Sequence, residues 1–498
     1  MRTSGILMPI FSLNSKYGIG TFGREAYKFV DFLESAGQTY WQILPLSPTS
    51  YGDSPYQSFS AYAGNPYFID LEILEQKGYL NKSEYCDIDW GSGEEVNYSA
   101  LYLNRFNVLK KAYYRFIDNP TEDYYLFLEK NLFWLNDYSL FMAIKTEYDG
   151  KSWIEWPNEL KFRHKEALLK AQKDFKDEIE FFKVLEYFFY VQWNDLKSYA
   201  NSKKIKIIGD IPIYVAFDSA DVWCEPEQFH LDEKLIPIEV AGCPPDAFTA
   251  KGQLWGNPLY NWDYMKNTPH PYDWWQRRIE YTLKLYDVIR IDHFRGFESY
   301  YAVPYGYDDA VNGTWRKGPG IDFFDSLKEK FGNLPIIAED LGFFTDDVYE
   351  MLSKTGFPGM KVLEFGFDEA GNSAHLPHNC PKNSVVYTGT HDNNTIMGWK
   401  ELLEQSKLKF MMDYLNVKNE KEINWAMINS AFATMADTVI IPIQDYLGID
   451  GSGRINTPST LGQNWKWRVI NGQINDQLAN KIRNLTEIYS RLNNEMSN

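Results

Sequence analysis

The sequence has few cysteines and histidines, and it lacks the clusters of these residues that hold zinc or form disulfide frameworks. Its 498 residues include 4 Cys and 7 His. The cysteines, at positions 86, 224, 243 and 380, form no CxxC pair and lie in no nucleophile-like motif. We therefore expect four reduced, buried thiols and no metal site, as is typical of a protein from the cytoplasm.

Long apolar runs and an excess of positive charge are also absent. No segment approaches the roughly 20 apolar residues of a membrane-spanning helix, and residues 1–9 contain no apolar stretch of signal-peptide length. The net charge of −18 argues against nucleic acid binding, which requires clustered lysine and arginine. We therefore expect a cytoplasmic protein that binds neither membranes nor nucleic acids.

Aromatic residues, in contrast, are abundant. They make up 17% of the chain, with 16 Trp and 35 Tyr. A large aromatic core accounts for many of these rings. Flat aromatic rings also stack on the apolar C–H faces of sugars, so composition leaves open both a large core and a sugar-binding protein.

Eight short apolar runs have the composition of strands that are buried on both faces. They cover residues 5–10, 40–44, 206–211, 288–293, 334–339, 360–365, 384–390 and 438–443. Helical periodicity fills most of the gaps, as at 25–36, 274–286, 323–331 and 346–354. Eight strands that alternate with helices predict an α/β fold, a (β/α)₈ TIM barrel with parallel strands.

The spacing of the runs predicts where the barrel is interrupted. Residues 1–66 would form its first part, and 203–498 the remainder. Residues 67–202 predict one or two mainly helical insertions on the C-terminal face, with helices near 101–117, 124–134, 138–145 and 179–199. Residues 218–265, rich in Pro, Gly and Trp, predict a loop. A helix at 476–493 ends the chain, which leaves no room for a C-terminal β-sandwich domain.

Three of the strand-like runs lead into a carboxylate: Asp292, Glu339 and Asp392. Active sites of (β/α)₈ barrels lie at the C-terminal ends of the strands, so we expect these acids to meet at one mouth. Acid–base and nucleophilic work on a glycosidic bond requires such carboxylates. A helix cap or a salt bridge explains one isolated acid well, but it explains three acids in register poorly.

Each acid suits a different role. Arg290 and Asp292 are two residues apart on a strand and point to the same side, which favours an ionised nucleophile. Burial of Glu339 among apolar side chains would raise its pKa, as a general acid requires. Asp392 would bind sugar hydroxyls and strain the ring. Asp210 is a fourth candidate, either for substrate contact or for a structural pair with Arg290.

Two histidines and two loops are further candidates. His293 and His391 each lie beside one of the acids and suit hydrogen bonds to hydroxyls. The loop at 52–61 is dense in small polar and aromatic residues, without the glycine spacing of a phosphate loop. The loop at 242–258 has aromatic residues toward its ends, which fits either a packed surface loop or a lid with stacking residues.

By these motifs the chain resembles the 4-α-glucanotransferases (amylomaltases or disproportionating enzymes) of glycoside hydrolase family 77 over nearly its whole length. The resemblance lies in residues 4–9, 17–20, 52–56, 209–214, 252–260, 290–296, 338–342 and 390–393. The Arg-Ile-Asp-His segment at 290–293 alone indicates the wider α-amylase clan. The run Gly-Gln-Leu-Trp-Gly-Asn-Pro-Leu-Tyr at 252–260 and the missing β-domain narrow it to this family.

The resemblance implies a role for each matching position. It implies Asp292 as nucleophile, Glu339 as acid/base and Asp392 as transition-state stabiliser. It implies glucan contacts at Ser54, Tyr56, Asp210, Asp246, Phe248, Gln253, Trp255, Asn257, Arg290, His293 and His391. It also implies a second glucan site near Tyr51, and no metal or organic cofactor. Ala247 departs from the polar or aromatic residue expected there, which leaves acceptor preference open.

The activity implied by the resemblance is transfer of α-1,4-glucan segments. A maltooligosaccharide or glucan donor would pass its glycosyl group to the 4-hydroxyl of an acceptor glucose or glucan, by a retaining double displacement. An α-1,4-glucan hydrolase with the same acids in an open, wet site is the alternative. A catalytically inactive glucan-binding protein is a third possibility, against which the three acids argue. Nothing in the sequence indicates the oligomeric state.

Overall fold

The computed structural model describes residues 2–50, 52–245, 250–342, 345–367 and 372–493. Within these ranges twelve strands form. They are β1 (Thr3–Leu7), β2 (Tyr40–Gln42), β3 (Lys206–Ile211), β4 (Glu239–Cys243), β5 (Gln253–Pro258), β6 (Val288–Ile291), β7 (Ser299–Pro304), β8 (Thr314–Lys317), β9 (Ile336–Ala338), β10 (Gly359–Val362), β11 (Ser384–Tyr387) and β12 (Thr438–Pro442).

The same ranges contain the α-helices that surround the strands. They are α1 (Arg24–Ser35), α2 (Leu71–Gln76), α3 (Tyr98–Ile117), α4 (Glu122–Lys130), α5 (Leu132–Glu147), α6 (Asn158–Lys161), α7 (Lys165–Asp174), α8 (Lys176–Ser202), α9 (Ala220–Cys224), α10 (Trp262–Lys266), α11 (Asp273–Leu285), α12 (Ile321–Phe331), α13 (Asp346–Thr355), α14 (Leu363–Gly366), α15 (Ile396–Lys400), α16 (Gln405–Leu415), α17 (Ile423–Ala433), α18 (Ile443–Leu447) and α19 (Asp476–Ile488).

Eight of the strands close a parallel barrel in the order β1, β2, β3, β6, β9, β10, β11, β12. Every strand predicted from the sequence is a barrel strand, so the predicted TIM-barrel fold is confirmed. The first and last strands pair over five residues, from Thr3 opposite Thr438 to Leu7 opposite Pro442. The strand side chains that fill the barrel form one apolar cluster, as such interiors require. Its members are Leu7, Ile208, Ile337, Met360, Val362, Val385, Tyr387 and Ile440.

The alternate residues of the strands pack outward against the helices. Ile6, Ile207 and Ile289 belong to the large core between the strands and the surrounding helical layer. In α1 the predicted apolar face is buried, with Ala26, Phe29, Val30 and Leu33 at most 2% exposed. The strands therefore have apolar neighbours on both faces, and polar groups concentrate at their ends.

Helices α2 to α8 fill the chain between β2 and β3, as predicted for a mainly helical segment. The prediction of one helix over 124–134 is wrong, because α4 ends at Lys130 and α5 begins at Leu132. Asn131 lies at the break. Its amide donates to the Phe127 carbonyl (2.8 Å) and accepts from the Trp134 indole (3.0 Å), so the side chain competes with the regular helical ladder.

The prediction of a loop over 218–265 is also wrong. This segment contains α9, β4, β5 and α10, and β4 and β5 join β7 and β8 in an antiparallel sheet of order β5-β4-β7-β8. All four residues of β8 are exposed, so the strand has no apolar run that the sequence could reveal. Of the predicted barrel strands only β3 ends at the predicted residue, and the other seven end one to three residues earlier, with β1, β10 and β11 each three residues short.

Three smaller predictions need correction or completion. The final helix ends at Ile488 rather than at residue 493. The face of this helix that packs on the protein contains Ala479, Ile482 and Leu485, and Ile488 lies off that face and is 65% exposed. Of the four cysteines only Cys380 is buried, and Cys86 is exposed, because it lies in the surface segment that follows α2. No helix among the described residues is long and apolar enough to cross a bilayer.

Candidate active site

Two of the three acids lie directly at the C-terminal ends of barrel strands. Asp292 follows the last residue of β6 and Glu339 follows the last residue of β9. The Asp292 backbone N–H donates to Ile211 O (3.0 Å), and the Glu339 N–H donates to Ile291 O (3.0 Å). Interstrand hydrogen bonding therefore fixes both backbones. Asp392 lies farther out, in the loop after β11.

Arg290 joins the acids into one buried network. Its Nη1 donates to both carboxylate oxygens of Asp210, at 2.8 and 2.7 Å, and its Nη2 lies 3.1 Å from Asp292 Oδ1. Arg290 is 3% exposed and Asp210 is 1% exposed. The Tyr56 hydroxyl donates to Asp210 Oδ2 (2.8 Å). The predicted contact between Arg290 and Asp292 is present, and so is the alternative pairing of Asp210 with Arg290.

Glu339 is held by two backbone N–H groups. The N–H of His293 donates to Oε2 (2.8 Å), and the N–H of Leu341 donates to Oε1 (2.6 Å). His293 has a left-handed backbone (φ 51°), and the resulting sharp turn directs its N–H toward Glu339. Burial raises the pKa of Glu339 to about 7, although Arg290 and the two N–H groups favour the ionised form. The predicted upward direction is therefore present.

For Asp292 the predicted effect of Arg290 is present, but it is outweighed by burial and by the neighbouring acids. Burial raises its pKa, Arg290 lowers it, and the charges of Asp210 and Glu339 raise it again. The Asp292 side chain is 29% exposed, so it keeps part of its hydration, and the effect of burial on its pKa is correspondingly smaller. Because the Asp292 and Glu339 carboxyls titrate together, the upward shift belongs to the pair, which retains a proton to higher pH than two isolated carboxyls would.

Asp392 is positioned by a segment that sequence reasoning missed. The Asn456 amide donates to Asp392 Oδ1 (2.6 Å), and Arg454 Nη2 donates to the Asp392 carbonyl (2.8 Å). Arg454 Nε also donates to the Asn456 carbonyl (2.8 Å), and the Asn456 N–H donates to the His391 carbonyl (3.1 Å). The sequence carries no signal for this contact, because Asn456 lies 64 positions after Asp392.

A stack of rings borders the same side of the mouth. Tyr56 lies parallel to His391, with ring centroids 5.1 Å apart and an interplanar angle of 14°. Trp465 packs against both rings, at 5.8 and 6.0 Å, and was not predicted. Burial lowers the pKa of His391 against the attraction of the Asp392 carboxylate, which favours a neutral ring. The Ser54 hydroxyl accepts the Tyr56 N–H (3.2 Å) and so helps to position this stack.

Strand β5 brings a second aromatic group to the mouth, against His293, whose N–H binds Glu339. The Trp255 ring meets His293 edge to face, with centroids 4.8 Å apart, and its indole N–H donates to Gln253 Oε1 (3.2 Å). Asn257 is 5% exposed; its amide donates to Val215 O (2.8 Å) and accepts from Gln57 (3.1 Å). The glucan contacts predicted for these residues remain predictions.

Some predicted positions lie outside the described residues. These are Tyr51, Asp246, Ala247 and Phe248.

Among the residues that the structure describes, no group of three or more His, Cys, Asp or Glu side chains is arranged to hold a metal ion. The described mouth thus combines three carboxyls in different environments. Asp292 contacts Arg290, Glu339 is buried and accepts two backbone N–H groups, and Asp392 accepts the amide of Asn456. Aromatic rings border the mouth at Tyr56 and at Trp255.

Comparison with known proteins gives consistent matches. The profile of glycoside hydrolase family 77, described as 4-alpha-glucanotransferase, matches residues 8–472. The chain is 50% identical to a 4-alpha-glucanotransferase of Clostridium butyricum, over 97% of this chain and 100% of the relative. It is 42% identical to a 4-alpha-glucanotransferase of Thermus thermophilus, over 99% of both chains. The solved structure of an amylomaltase from Streptococcus agalactiae in complex with acarbose superposes with a TM-score of 0.97, at 44% identity over 99% of this chain and 100% of that one.

Proposed function

Because the chain belongs to the 4-alpha-glucanotransferase family, glycoside hydrolase family 77, and is an enzyme of that activity, we propose that it works by a retaining double displacement. The observation that carries the mechanism is the unequal environment of two coupled carboxyls. Asp292 is paired with a guanidinium, which suits a nucleophile, and Glu339 is buried and accepts two backbone N–H groups, which position it as the acid/base that holds the proton of the pair.

In the first step Asp292 attacks the anomeric carbon of the donor. The bond between that carbon and the glycosidic oxygen breaks, and Glu339 transfers its proton to the leaving oxygen. The donor fragment with the new 4-hydroxyl departs, and the remaining glycosyl group is an ester of Asp292. Arg290 neutralises the charge of Asp210 beside the reacting carboxylate, so that Asp292 can ionise before attack.

In the second step Glu339, now a carboxylate, removes the proton from the 4-hydroxyl of an acceptor. The acceptor oxygen attacks the anomeric carbon and releases Asp292, which restores both carboxyls to their starting states. Asp392, with its side chain 43% exposed, binds hydroxyls of the same sugar and favours the flattened ring of the transition state. Two inversions at one carbon give net retention.

Transfer requires that a sugar hydroxyl reach the ester before water does. The Trp255 ring packs on His293, whose N–H holds Glu339, so this aromatic side is where leaving and entering glucans meet the acid/base. An acceptor oriented there gains the advantage of proximity over water, which is worth several kcal/mol. The relatives described above are named as glucanotransferases or an amylomaltase, which supports transfer over the hydrolase alternative.

Several finer points stay proposals. The substrates are maltooligosaccharides and α-1,4-glucans, and the amylomaltase that binds acarbose supports this assignment. The barrel is divided as 1–66 and 203–498, with 67–202 as the helical insertion. The lid expected from the sequence, with Phe248 and Trp255 as its stacking residues, stays a prediction, and Trp255 itself lies on β5 rather than in a loop. The cytoplasmic location predicted from the sequence also remains a prediction.

Incubation of the purified protein with maltotriose tests the activity. We expect glucose together with a ladder of longer maltooligosaccharides, separated by chromatography, because each transferred segment lengthens another molecule. Asp292→Asn, which keeps the side-chain size, should reduce the rate by at least about 10⁴-fold, since the nucleophile is lost. Glucose and maltose without longer products would contradict transfer, and an Asp292→Asn variant of normal activity would contradict the mechanism.

A further inference from the structure

The helix α18, which directly follows the last barrel strand, carries two buried polar side chains that the mechanism does not use. Gln444 is 3% exposed and Asp445 is 1% exposed. The Asn424 amide on α17 donates to the Asp445 carbonyl (2.6 Å), so the backbone of α18 is fixed from the outer helical layer. Burial of a polar side chain is costly unless it is hydrogen-bonded, so the partners of these two residues indicate their role.

Asp445 binds both ends of the loop that carries Asp392, called here the Asp392 loop (residues 388–396). The Thr388 hydroxyl donates to Asp445 Oδ2 (2.6 Å), and the Ile396 N–H donates to Asp445 Oδ1 (2.9 Å). Thr388 and Ile396 lie four residues before and four residues after Asp392, and both are fully buried. One carboxylate therefore connects the two ends of the loop.

Hydrogen bonds inside the loop extend this restraint to Asp392. Asn393 Oδ1 accepts both the N–H and the hydroxyl of Thr390, each at 2.9 Å. The Asp392 N–H donates to the same hydroxyl oxygen of Thr390 (3.3 Å). The loop is thus a compact turn between two fixed ends, and a shift of either end would displace the Asp392 carboxylate.

Gln444 binds the other segment that holds Asp392. Its amide donates to the Gly453 carbonyl (3.2 Å), immediately before the residues that donate to Asp392. A side chain at Gly398, just beyond the Asp392 loop, would meet the Cα of Gly451 at 2.5 Å, so the backbones of the two segments are in direct contact. Neighbouring side chains of α18 therefore bind both segments that surround Asp392.

We propose that Asp445 is a positioning residue, which holds Asp392 in the place and orientation that the transition state requires. The inference rests on the proposed role of Asp392 as transition-state stabiliser. The Asp392 side chain is 43% exposed, so its place depends on the loop more than on packing around the side chain itself. A displacement of about 0.5 Å is enough to weaken its hydrogen bonds to the sugar in the transition state.

The chemistry of the two donors determines which substitutions separate the possible roles. Burial raises the pKa of Asp445 to about 6, against the hydrogen bonds from Thr388 and Ile396, so the group is ionised at neutral pH and accepts on both oxygens. Asparagine keeps both bonds, because its oxygen accepts the Ile396 N–H and its NH₂ donates to the Thr388 hydroxyl. Alanine keeps neither.

The first measurement compares Asp445→Ala and Asp445→Asn with wild type in maltosyl transfer from α-maltosyl fluoride to glucose. We expect Asp445→Ala to lower kcat about 10- to 100-fold and to leave both KM values within about threefold, because the lost positioning acts mainly in the transition state. Asp445→Asn should stay within about threefold of the wild-type kcat, since its hydrogen bonds are retained.

The second measurement repeats Asp445→Ala in an Asp392→Asn background. If Asp445 acts through the Asp392 carboxylate, its removal should lower kcat by less than about twofold once that carboxylate is absent. Fluoride release at high enzyme concentration makes the slow double variant measurable. Thr388→Val removes one of the two donors at nearly constant volume and should lower kcat about 3- to 10-fold, which keeps the test open if Asp445→Ala does not fold.

Asp287→Ala is the matched control at the opposite end of the barrel, just before β6. Asp287 Oδ2 also accepts one backbone N–H, from Ile207 (2.8 Å), and one side-chain donor, the amide of Asn201 (2.9 Å). This variant should lower the melting temperature without changing kcat. Melting temperatures of all variants show which of them are folded in the assay.

A folded Asp445→Ala variant with the kcat of wild type would overturn the proposal. An equal loss of kcat with and without the Asp392 carboxylate would also overturn it, because Asp445 would then have a general structural role. If Asp445→Ala does not fold, an unchanged kcat in Thr388→Val has the same meaning. Failure of the proposed function is distinguishable, because Asp392→Asn alone would then keep the kcat of wild type.

Discussion

At the scale of single residues, the reaction depends on the proton of the Asp292 and Glu339 pair. Asp292 contacts Arg290 at 3.1 Å, and Glu339 accepts two backbone N–H groups. Both pKa values are raised by burial, so one carboxyl retains its proton near neutral pH. The first step requires that proton on Glu339, because the leaving oxygen is a poor leaving group when unprotonated.

The pH dependence of kcat/KM for maltotriose should therefore have an alkaline limb near pH 7. Activity falls as the pH rises through the raised pKa of the coupled pair, because an ionised Glu339 has no proton to donate. Glu339→Gln should lose transfer from maltotriose but still transfer maltosyl from α-maltosyl fluoride to azide. Fluoride needs no acid and azide needs no base.

The control for this assignment is the same azide reaction across pH. In Glu339→Gln we expect no alkaline limb near pH 7, since the titrating group is gone. A limb that persists there would assign it to another group and contradict the acid/base role of Glu339.

At the scale of elements, the short segment after α18 determines how Asp392 is presented. Asn456 donates to the side chain of Asp392, and Arg454 donates both to the Asp392 carbonyl and to the Asn456 carbonyl. The segment therefore hydrogen-bonds both the side chain and the backbone of Asp392 in the loop after β11. The Asp392 carboxylate is 43% exposed and would otherwise have rotamer freedom.

Asn456→Ala should lower kcat about 10- to 100-fold, with a smaller change in KM. The lost hydrogen bond to a carboxylate is worth about 1.5–3 kcal/mol, and Asp392 acts mainly in the transition state. Asn107→Ala is a matched control, because that exposed amide makes one hydrogen bond to Leu103 on α3. Steady-state kinetics and melting temperatures separate the effects. A fall in melting temperature with unchanged kcat would assign Asn456 a purely structural role.

The elements show what the sequence could and could not predict. All eight barrel strands were predictable, because strands buried on both faces are continuous apolar runs. Strand β8 was not, because every residue from Thr314 to Lys317 is exposed. Asp292 and Glu339 were predictable because each directly follows a barrel strand, whereas Asp392 lies in the loop after β11. Asn456 and Trp465 were not, because only the folded chain brings them to Asp392 and His391.

At the scale of the whole molecule, the helical insertion docks on the barrel through a buried acid. Glu186 on α8 is 2% exposed and accepts the Gly64 N–H (2.8 Å) from the segment after β2. A side chain at Gly64 would meet the ring of Phe189 at 2.3 Å, so the backbone approaches α8 very closely. Burial raises the pKa of Glu186 to about 8.

Glu186→Gln should remove an alkaline loss of stability. The pKa of Glu186 is about 8 in the folded protein and about 4.3 in the unfolded chain. Between pH 4.3 and pH 8, Glu186 therefore loses its proton when the protein unfolds. The free energy of unfolding then falls as pH rises through this window, by on the order of 4 kcal/mol between pH 5 and 8. Glutamine keeps an acceptor for Gly64 without the buried charge.

Calorimetric melting temperatures at pH 5 to 9 measure this effect. The advantage of Glu186→Gln over wild type should be near zero at pH 5 and should grow toward pH 8. Glu166→Gln, at an exposed position of α7, should show no such growth. A constant difference across pH would mean that Glu186 is not protonated in the folded protein at neutral pH.

Closure of the barrel by its first and last strands also has a consequence in time. Thr3 pairs with Thr438, and Arg491 donates to the carbonyls of Thr3 (3.1 Å) and Phe432 (3.0 Å). On a ribosome that adds about 5–20 residues per second, β1 would wait roughly 20–90 s for β12 to emerge. The nascent chain carries an unpaired strand edge throughout that interval, and such edges are prone to aggregate until the barrel closes.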